Sequence, residues 1–358
     1  MKILQIINSL GGGGAENLVY NLIRKSDSAN LSMDLLILDD SNNVYDNNFK
    51  LSMTYVGPRK LKSIKNIKFI REILKTNYYD IVHVHLFPSF YFSALSKKYS
   101  LNRNVKFVYT EHSTNNKRRK WYFRLIDNYI YSKYDSIISI SDGVKKSLKA
   151  WLFPKNYKKV STISNGIDID KYKNAKPLDK AEINKNIDNN DILILMTGRF
   201  EEPKDQITLI RTMDLLPKNY KLILIGEGSN RSKCEILVDK LGLENRVLFM
   251  GYRTDAERIN KTVDIIVVSS KWEGFGLVAV EGMAAGKPVI ASDVPGLNEI
   301  VLDENLLFTV GDHYQLAEKI TNIHDYHTGK ELQKIKHYDI NLMWKSYLEN
   351  YIKIQAKN

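Results

Sequence analysis

Short apolar runs alternate with longer amphipathic segments along the chain, and this rhythm limits the folds that the sequence can adopt. It begins with an apolar run over 2–7 and an amphipathic stretch over 15–24. Runs of the first kind predict strands, and segments of the second kind predict helices. Strands that alternate with helices form βαβ units, whose strands pair in parallel. The sequence therefore predicts an α/β protein with parallel sheets.

The rhythm pauses over 165–190, where the chain is polar and poor in strands, and then restarts. We interpret this stretch as a linker, because linkers have such a composition. A length of 358 residues also suggests two domains, and a hydrophobic share of 43% is ordinary for globular chains. We predict a first domain over 1–165, a second over 166–340, and a helix over 341–358 that packs back on the first domain. Both domains should be Rossmann-like and doubly wound, and they should face a cleft, since ligands bind beyond the carboxyl ends of such strands.

The net charge of +12 is divided unevenly. Residues 1–165 carry 27 Lys and Arg against 12 Asp and Glu, whereas residues 166–358 carry 26 against 29. A lysine-rich genome would explain the many basic residues, but not why only one half lacks enough acidic residues to balance them. We therefore expect the first half to face an anionic partner. Two basic stretches that contain aromatic residues, 59–69 and 117–124, favour an anionic membrane surface.

Four glycines, Gly11–Gly14, follow the first predicted strand and precede a helix. Backbone N–H groups at such a turn can approach an anion at the helix N-terminus. The dinucleotide pattern GxGxxG fails, because Glu16 and Asn17 stand where a glycine is needed, and no Walker Gly-Lys-Ser/Thr follows. The loop predicts a phosphate site or another close ligand approach, with a flexible turn as the alternative.

A second anion site is predicted after the first strand of the second domain, at Thr197-Gly198-Arg199. Lys204 should open the next helix. Two cations and a helix N-terminus make a clamp for a diphosphate. The alternative is that both cations are solvated and paired with Glu201 and Glu202.

A glycine-rich turn, Glu273-Gly274-Phe275-Gly276-Leu277, follows an apolar strand, and Glu281 lies inside the helix that comes next. Backbone amides at this turn should be open to a ligand. A carboxylate can accept two hydroxyl groups at once, which suits a sugar or a ribose.

These residues resemble the donor domain of the family 4 retaining glycosyltransferases, which have the GT-B fold. The strongest match is the two-glutamate signature formed by the glycine-rich turn and Glu281. The other matching segments of the second domain are Gly198-Arg199-Phe200 with Lys204, Ile225-Gly226-Glu227-Gly228, Gly251-Tyr252, 285–291, and Gly296 with Glu299. The looser matches of the first domain are Gly13-Gly14-Ala15-Glu16, His83 with His85, Glu111-His112 and Asn165-Gly166-Ile167-Asp168.

The resemblance implies a role for each matching residue. The residues implied in donor binding are Gly13, Gly14, Arg199, Lys204, Tyr252, Phe275, Gly276, Leu277 and Glu281. Arg199 and Lys204 would hold the diphosphate, and Glu281 would accept the ribose hydroxyls. Glu273 and His112 are implied in catalysis. Glu273 would contact hydroxyls of the transferred sugar, and His112 would bind a sugar hydroxyl or a phosphate oxygen.

No metal site is expected. His83 and His85 share one face of a strand, but no third ligand has suitable spacing, so we interpret them as wall or core residues. The Asp168-Ile169-Asp170 motif is similar to the metal-binding motif of other glycosyltransferases, yet one loop pair supplies too few ligands. We expect no cofactor apart from the nucleotide diphosphate sugar, which is the donor substrate.

The implied activity is retaining, metal-independent transfer of a hexose from a nucleotide diphosphate sugar to a hydroxyl of a glycan acceptor. The acceptor would be lipid-linked, in bacterial surface polysaccharide assembly (O-antigen, capsule or lipopolysaccharide). The enzyme would be cytoplasmic and peripheral on the inner face of the cytoplasmic membrane. No apolar stretch approaches the roughly 20 residues that span a bilayer, so we expect a protein that is soluble or sits on a surface. The single cysteine, Cys234, fits a reducing compartment.

Two alternatives stay open. One is a nucleotide-sugar epimerase of the same fold, which needs no separate acceptor. The other is a basic nucleic-acid-binding protein, although no nucleic-acid module is legible in the sequence. We expect no nucleic-acid partner, because such a function would leave the donor motifs unexplained.

Overall fold

A computed structural model of the protein describes residues 1–26, 31–41, 53–58, 60–116, 119–323 and 335–356. The chain divides into two compact units. Unit 1 comprises Met1–Asn165 and Ile340–Asn358, and unit 2 comprises Gly166–Asp339.

Unit 1 contains one parallel sheet. Its strands are Lys2–Ile7 (β1), Ser32–Ile37 (β2), Met53–Val56 (β3), Ile81–His85 (β4), Lys106–Glu111 (β5), Ser136–Ser139 (β6) and Val160–Thr162 (β7). Its helices are Gly14–Ser26 (α1), Lys65–Thr76 (α2), Ser89–Ser96 (α3), Arg124–Ser132 (α4), Asp142–Trp151 (α5), Pro154–Tyr157 (α6) and Ile340–Gln355 (named α14, after the helices of unit 2), with 3₁₀ turns at Lys97–Tyr99 and Trp121–Phe123. The strand order is β3-β2-β1-β4-β5-β6-β7, so the order reverses between β1 and β4.

The central strands are buried on both faces, as parallel strands covered by helices are. All five residues of β4 are buried, and so are five of the six residues of β1. This burial explains why both strands are mostly continuous apolar runs. The polar side chains that they do carry must find hydrogen-bond partners inside the unit.

Helix α14 completes the core of unit 1. Trp344, Tyr347 and Tyr351 are spaced by three and four residues, so they lie on one helix face. All three are buried in the same apolar cluster as Ile3 of β1 and Val19 of α1. The last helix is therefore a structural part of the unit that contains the first strand.

Unit 2 contains a six-stranded parallel sheet. Its strands are Ile192–Thr197 (β8), Tyr220–Ile225 (β9), Val247–Phe249 (β10), Ile265–Val268 (β11), Val289–Ser292 (β12) and Leu307–Phe308 (β13), in the order β10-β9-β8-β11-β12-β13. Its helices are Ile169–Lys173 (α7), Lys180–Ile183 (α8), Gln206–Leu215 (α9), Arg231–Leu241 (α10), Ala256–Thr262 (α11), Leu277–Ala284 (α12) and His313–Thr321 (α13), with 3₁₀ turns at Glu202–Lys204, Glu304–Leu306 and Ile335–Tyr338.

The polar stretch that we interpreted as a linker is instead folded onto unit 2. It forms α7 and α8, and Leu178 and Ile187 are buried. The Leu178 N–H donates to Thr262 Oγ1 at 2.7 Å. A few buried apolar residues and several long-range polar contacts, among them Lys261 Nζ to the Lys173 carbonyl at 2.9 Å, therefore hold this segment, which is why its composition resembles that of a linker.

The predicted fold of two Rossmann-like domains with parallel sheets is confirmed. In both units the strands run in parallel, so their carboxyl ends and the loops that follow them share one edge of the sheet. Within the described ranges, no helix combines the length and the apolar character needed to cross a membrane.

Candidate functional site

The loops that follow β8, β9 and β10 are joined by backbone hydrogen bonds at one edge of the unit 2 sheet. The Gly198 N–H donates to the Ile225 carbonyl, and the Gly226 N–H donates to the Gly251 carbonyl, both at 2.8 Å. The Phe200 N–H donates to the Glu227 carbonyl at 2.9 Å. These bonds fix the course of the backbone around Gly198 before any ligand arrives.

Gly226 and Gly228 permit this close approach. Both have positive φ angles, 137° and 155°, which side chains rarely adopt. A Cβ atom on Gly226 would overlap the Gly198 carbonyl, and one on Gly228 would lie 2.5 Å from the Phe200 carbonyl oxygen. The Gly-Glu-Gly segment is thus a packing requirement of the loop that carries Arg199.

Lys204 and Glu273 form an ion pair at the same edge. The Lys204 Nζ lies 2.5 Å from Glu273 Oε2, and both side chains are largely buried. Ser270 Oγ and the Gly274 N–H also donate to the Glu273 carboxylate, at 3.4 and 3.2 Å. The aliphatic part of Lys204 packs on Gly198, where a Cβ atom would lie 3.4 Å from it. The structure therefore brings together Lys204, which we predicted to bind the diphosphate, and Glu273, which we predicted to contact the sugar.

We expected Lys204 to open the next helix, and this expectation was wrong. It ends a 3₁₀ turn, Asp205 follows in the left-handed region (φ 50°), and α9 begins at Gln206. The Gln206 side chain donates to the carbonyl of Arg199 at 3.0 Å. This turn directs the Lys204 side chain toward Glu273, whereas the Arg199 side chain is exposed to solvent.

The turn from Gly274 to Leu277 is anchored by its aromatic residue. Phe275 is buried and lies edge-on to Tyr338, with ring centroids 5.2 Å apart. Gly276 has a φ of 101°, and a Cβ atom there would lie 2.5 Å from Leu297 Cδ2. The Leu277 amide then stands in the first turn of α12, where N–H groups lack carbonyl partners within the helix. These N–H groups, at the positive end of the helix dipole, suit a phosphate or a sugar oxygen.

Glu281 lies one turn further along α12 and is held by a residue that sequence reasoning missed. Burial raises the pKa of the Glu281 carboxyl, while the Tyr172 hydroxyl that donates to it and the charge of Lys171 oppose this rise. Tyr172 belongs to α7, inside the stretch that we interpreted as a linker. Only a folded helix at that position could have indicated it.

Tyr252 follows β10 and keeps 54% of its surface exposed. The preceding Gly251 has a φ of 66°, and a Cβ atom there would lie 2.9 Å from Glu227 Oε1. An exposed ring at this edge is available to stack on a planar ligand.

The glycine loop of unit 1 leads into α1, which begins at Gly14. A Cβ atom on Gly13 would lie 2.5 Å from Glu16 Oε2, so the Glu16 carboxylate folds back over Gly13. Glu16 is buried despite its charge. Any anion that approaches the Gly13 amide would therefore meet this carboxylate at the same turn.

The three histidines of unit 1 differ in burial. His83 and His85 are fully buried, as expected for core residues, and burial lowers the pKa of both well below the ordinary value. His112 follows β5 and is partly exposed, and burial lowers the pKa of its imidazole to about 3. His85 Nδ1 lies 3.1 Å from His112 Nε2.

The Asp168 carboxylate has a structural partner. It caps α7 by accepting a hydrogen bond from the Lys171 N–H at 3.0 Å. The described residues contain no cluster of three or more His, Cys, Asp or Glu that could hold a metal ion.

Comparison with known families agrees with this arrangement. A profile described as "Glycosyl transferases group 1" matches residues 179–339, and one described as "Glycosyltransferase Family 4" matches residues 12–171. Together the two profiles cover most of both units. The chain is a GT-B glycosyltransferase of the family 4 type.

Individual relatives of this glycosyltransferase are distant. A Bacillus subtilis protein named as a glycosyltransferase, EpsD, is 25% identical over 279 residues, which span 74% of this chain and 72% of EpsD. An Escherichia coli protein named UDP-Gal:alpha-D-GlcNAc-diphosphoundecaprenol alpha-1,3-galactosyltransferase is 26% identical over 259 residues, which span 68% of this chain and 65% of that protein. Among solved structures, Anabaena HepE in complex with UDP and glucose superimposes with a TM-score of 0.83 at 20% identity, over 98% of this chain and 99% of HepE. That structural likeness shows the shared fold.

Proposed function

We propose that the enzyme transfers a sugar from a nucleotide diphosphate sugar to a hydroxyl of a lipid-linked glycan, with retention at the anomeric carbon. The observation that carries this proposal is the Lys204–Glu273 pair beside the amides at the start of α12. One edge of one sheet thus offers a cation, a helix N-terminus and a carboxylate, which match a diphosphate and an adjoining sugar.

Arg199 and Lys204 would bind the diphosphate and stabilise the charge that develops on it as it leaves. The Leu277 amide would donate to the same group, Glu281 would accept the ribose hydroxyls, and the base would lie near Tyr252. Burial disfavours the charged form of Glu281, so two ribose hydroxyls would replace the solvation that its carboxylate lacks.

Glu273 is suited to orient the sugar rather than to attack it. Its carboxylate is held by a lysine, a serine hydroxyl and an amide, and an ion-paired carboxylate is a weak nucleophile. It can still accept sugar hydroxyls and stabilise the positive charge of an oxocarbenium-like transition state. The acceptor hydroxyl would then attack from the face that the diphosphate leaves, and the diphosphate would take its proton.

The donor is testable by ligand-induced stabilisation. A true donor should raise the melting temperature in proportion to the logarithm of its concentration above Kd. We would screen UDP-, GDP-, ADP- and dTDP-sugars, and then determine the anomeric configuration of the transferred sugar by proton NMR. An inverted product would refute retention, and interconversion of the nucleotide sugar without an acceptor would favour an epimerase.

The lipid-linked acceptor and an anionic membrane are supported by an exposed aromatic face of unit 1, formed by the 3₁₀ turn Trp121–Phe123 and by α4. Trp121 is 83% exposed and Leu125 is 72% exposed. The exposed apolar side chains of this face are Trp121, Tyr122, Leu125, Ile126 and Tyr129. Aromatic and aliphatic side chains beside cations are typical of peripheral membrane binding. A relative whose name specifies a diphosphoundecaprenol-linked substrate supports the same acceptor class.

The basic run before this face is not wholly available to a membrane. Lys117 and Arg118 lie outside the described residues. Arg119 turns inward, where its guanidinium lies 3.7 Å from the Glu111 carboxylate and donates to the Thr114 carbonyl. Lys120 is exposed. Replacing the whole run would therefore break an internal contact as well as remove surface charge.

A cleaner membrane test changes the aromatic face itself. The double variant Trp121→Ser/Leu125→Ser should release the protein from anionic liposomes, and Ile236→Ser, which changes an exposed residue of unit 2, should not. Binding should weaken as salt rises, because lysine–headgroup attraction is screened within about 8–10 Å. Equal, negligible binding of the wild type to anionic and neutral liposomes would refute the membrane proposal. Tighter binding to single-stranded or duplex nucleic acid would favour the nucleic-acid alternative.

A further inference from the structure

A chain of buried hydrogen bonds leads to the candidate catalytic imidazole of unit 1. Gln5 Oε1 lies 3.0 Å from His85 Nε2, and His85 Nδ1 lies 3.1 Å from His112 Nε2. Gln5 and His85 are fully buried, so no solvent proton competes for these positions. The contacts among these side chains must therefore determine which nitrogen of each histidine donates and which accepts.

The contacts of Gln5, at the first link of this series of hydrogen bonds, set the orientation of its side-chain amide. The Tyr351 hydroxyl lies 2.7 Å from His83 Nδ1 and 3.4 Å from Gln5 Nε2. In the structure, Gln5 Nε2 is the atom that faces this hydroxyl, so the Tyr351 oxygen accepts a hydrogen bond from Gln5. Gln5 Nε2 also faces the Met33 sulfur at 3.8 Å, which is a weak acceptor. The Gln5 carbonyl oxygen consequently faces His85.

This orientation fixes the tautomer of each histidine in turn. His85 must carry its proton on Nε2 to donate to Gln5, which leaves Nδ1 as an acceptor. His112 must then carry its proton on Nε2, which leaves a lone pair on Nδ1. His112 Nδ1 is buried and has no hydrogen-bond partner within the part of the chain that the structure describes. The low pKa of His112, about 3, means that the ring is neutral at physiological pH.

We propose that Gln5 and His85 are positioning residues that hold His112 with an unprotonated Nδ1, ready to accept a hydrogen bond from a substrate hydroxyl. A lone pair attracts a hydroxyl proton and repels a phosphate oxygen, so this tautomer decides between the two ligands that the sequence left open for His112. The inference rests on the proposed function only in naming a substrate hydroxyl as the group that His112 binds.

The tautomer is measurable without any substrate. Long-range proton–nitrogen correlation spectra of the full-length protein, labelled with ¹⁵N-histidine, distinguish the two neutral tautomers and the cation. We expect neutral, Nε2-protonated rings for both His85 and His112 at pH 7. An Nδ1-protonated or cationic His112 would overturn the inference, whether or not the transferase assay succeeds. A failed transferase assay with the expected tautomer would instead count against the proposed function.

Two variants separate positioning from stability. Gln5→Leu removes the group that fixes the His85 proton. Thr110→Val instead removes a buried hydrogen bond to His83 Nε2 (2.8 Å), and His83 is joined to the same Tyr351 hydroxyl but does not contact His112 through a hydrogen bond. Gln5→Leu should give mixed His112 tautomers and lower kcat/KM by up to about tenfold, the worth of one hydrogen bond. Thr110→Val should keep the tautomer and stay within about twofold of the wild type at a similar loss of Tm. If activity falls in step with Tm to the same extent in both variants, the role of Gln5 is merely structural. If Gln5→Leu does not fold, the wild-type spectrum decides alone.

Discussion

Mild acid should unfold unit 1 before unit 2, because unit 1 holds three histidines whose pKa is lowered in the folded state, so that they stay neutral. The pKa of His83, His85 and His112 is lowered by burial, whereas the unfolded chain binds protons at the ordinary value of about 6.5. Below that pH the unfolded state binds more protons than the folded state. The free energy of unfolding of unit 1 should therefore fall as the pH falls.

The magnitude follows from proton linkage. Each histidine that is neutral when folded and charged when unfolded costs about 1.4 kcal/mol per pH unit once the pH is well below 6.5. At pH 5 this amounts to roughly 2 kcal/mol for each histidine and about 6 kcal/mol for the three. A typical domain is stable by only about 5–15 kcal/mol, so unit 1 should be close to unfolding there. Within its described residues, unit 2 has no buried histidine, and it should lose much less.

Hydrogen exchange with mass spectrometry would follow the two units separately, at several urea concentrations, from pH 7.5 to pH 5. His83→Asn should reduce the pH dependence of unit 1 by about one proton even if it lowers stability at pH 7. His313→Gln in unit 2 serves as the control and should leave the slope of unit 1 unchanged. A stability of unit 1 that stays constant between pH 7 and pH 5.5 would refute the reasoning.

Three further predictions concern the donor site. Arg199→Ala and Lys204→Met should each lower turnover by at least about tenfold in a transfer assay, because each loses a charge-assisted bond of about 1.5–3 kcal/mol to the diphosphate, and normal rates in a folded variant would disprove the clamp. Burial raises the pKa of the Glu281 carboxyl, so the wild type should lose stability as the pH rises from about 4 through that pKa and the buried group ionises. Glu281→Gln cannot ionise, so its Tm in thermal unfolding should rise relative to the wild type over the same pH range. Activity should persist in excess chelator, and loss in EDTA with rescue by magnesium or manganese would contradict a metal-independent mechanism.

Most of the fold follows from local patterns, but the polar contacts of the sites do not. Apolar runs mark the parallel strands because both faces of such strands are covered, and helix periodicity marks α14. The position of Glu273 and Lys204 after neighbouring strands was enough to place them at one sheet edge. Lys204 stands directly before a left-handed turn at Asp205, and no sequence pattern around Asp205 predicts that turn.

Long-range partners account for the rest. Tyr351 and His83 are 268 residues apart in sequence, and their hydrogen bond exists only because α14 packs on the first sheet. The same holds for Tyr172, whose hydroxyl reaches Glu281 from a helix that looked like a linker. Arg119 sits in a run of surface-like cations, yet a buried carboxylate at Glu111 draws it inward. Such pairs are decided by tertiary packing, which single-sequence periodicity does not contain.

The return of the chain to unit 1 reverses the usual order of folding on the ribosome. Domains generally fold as they emerge, the N-terminal one first. Here the first sheet must wait for the aromatic face of α14, which is translated only after all of unit 2. At about 5–20 residues per second, that delay is on the order of 10–40 s, during which the apolar surface that α14 covers stays exposed. Unit 2, which is continuous in sequence, can reach its native state first, so the nascent chain needs protection at its older end rather than its newer one.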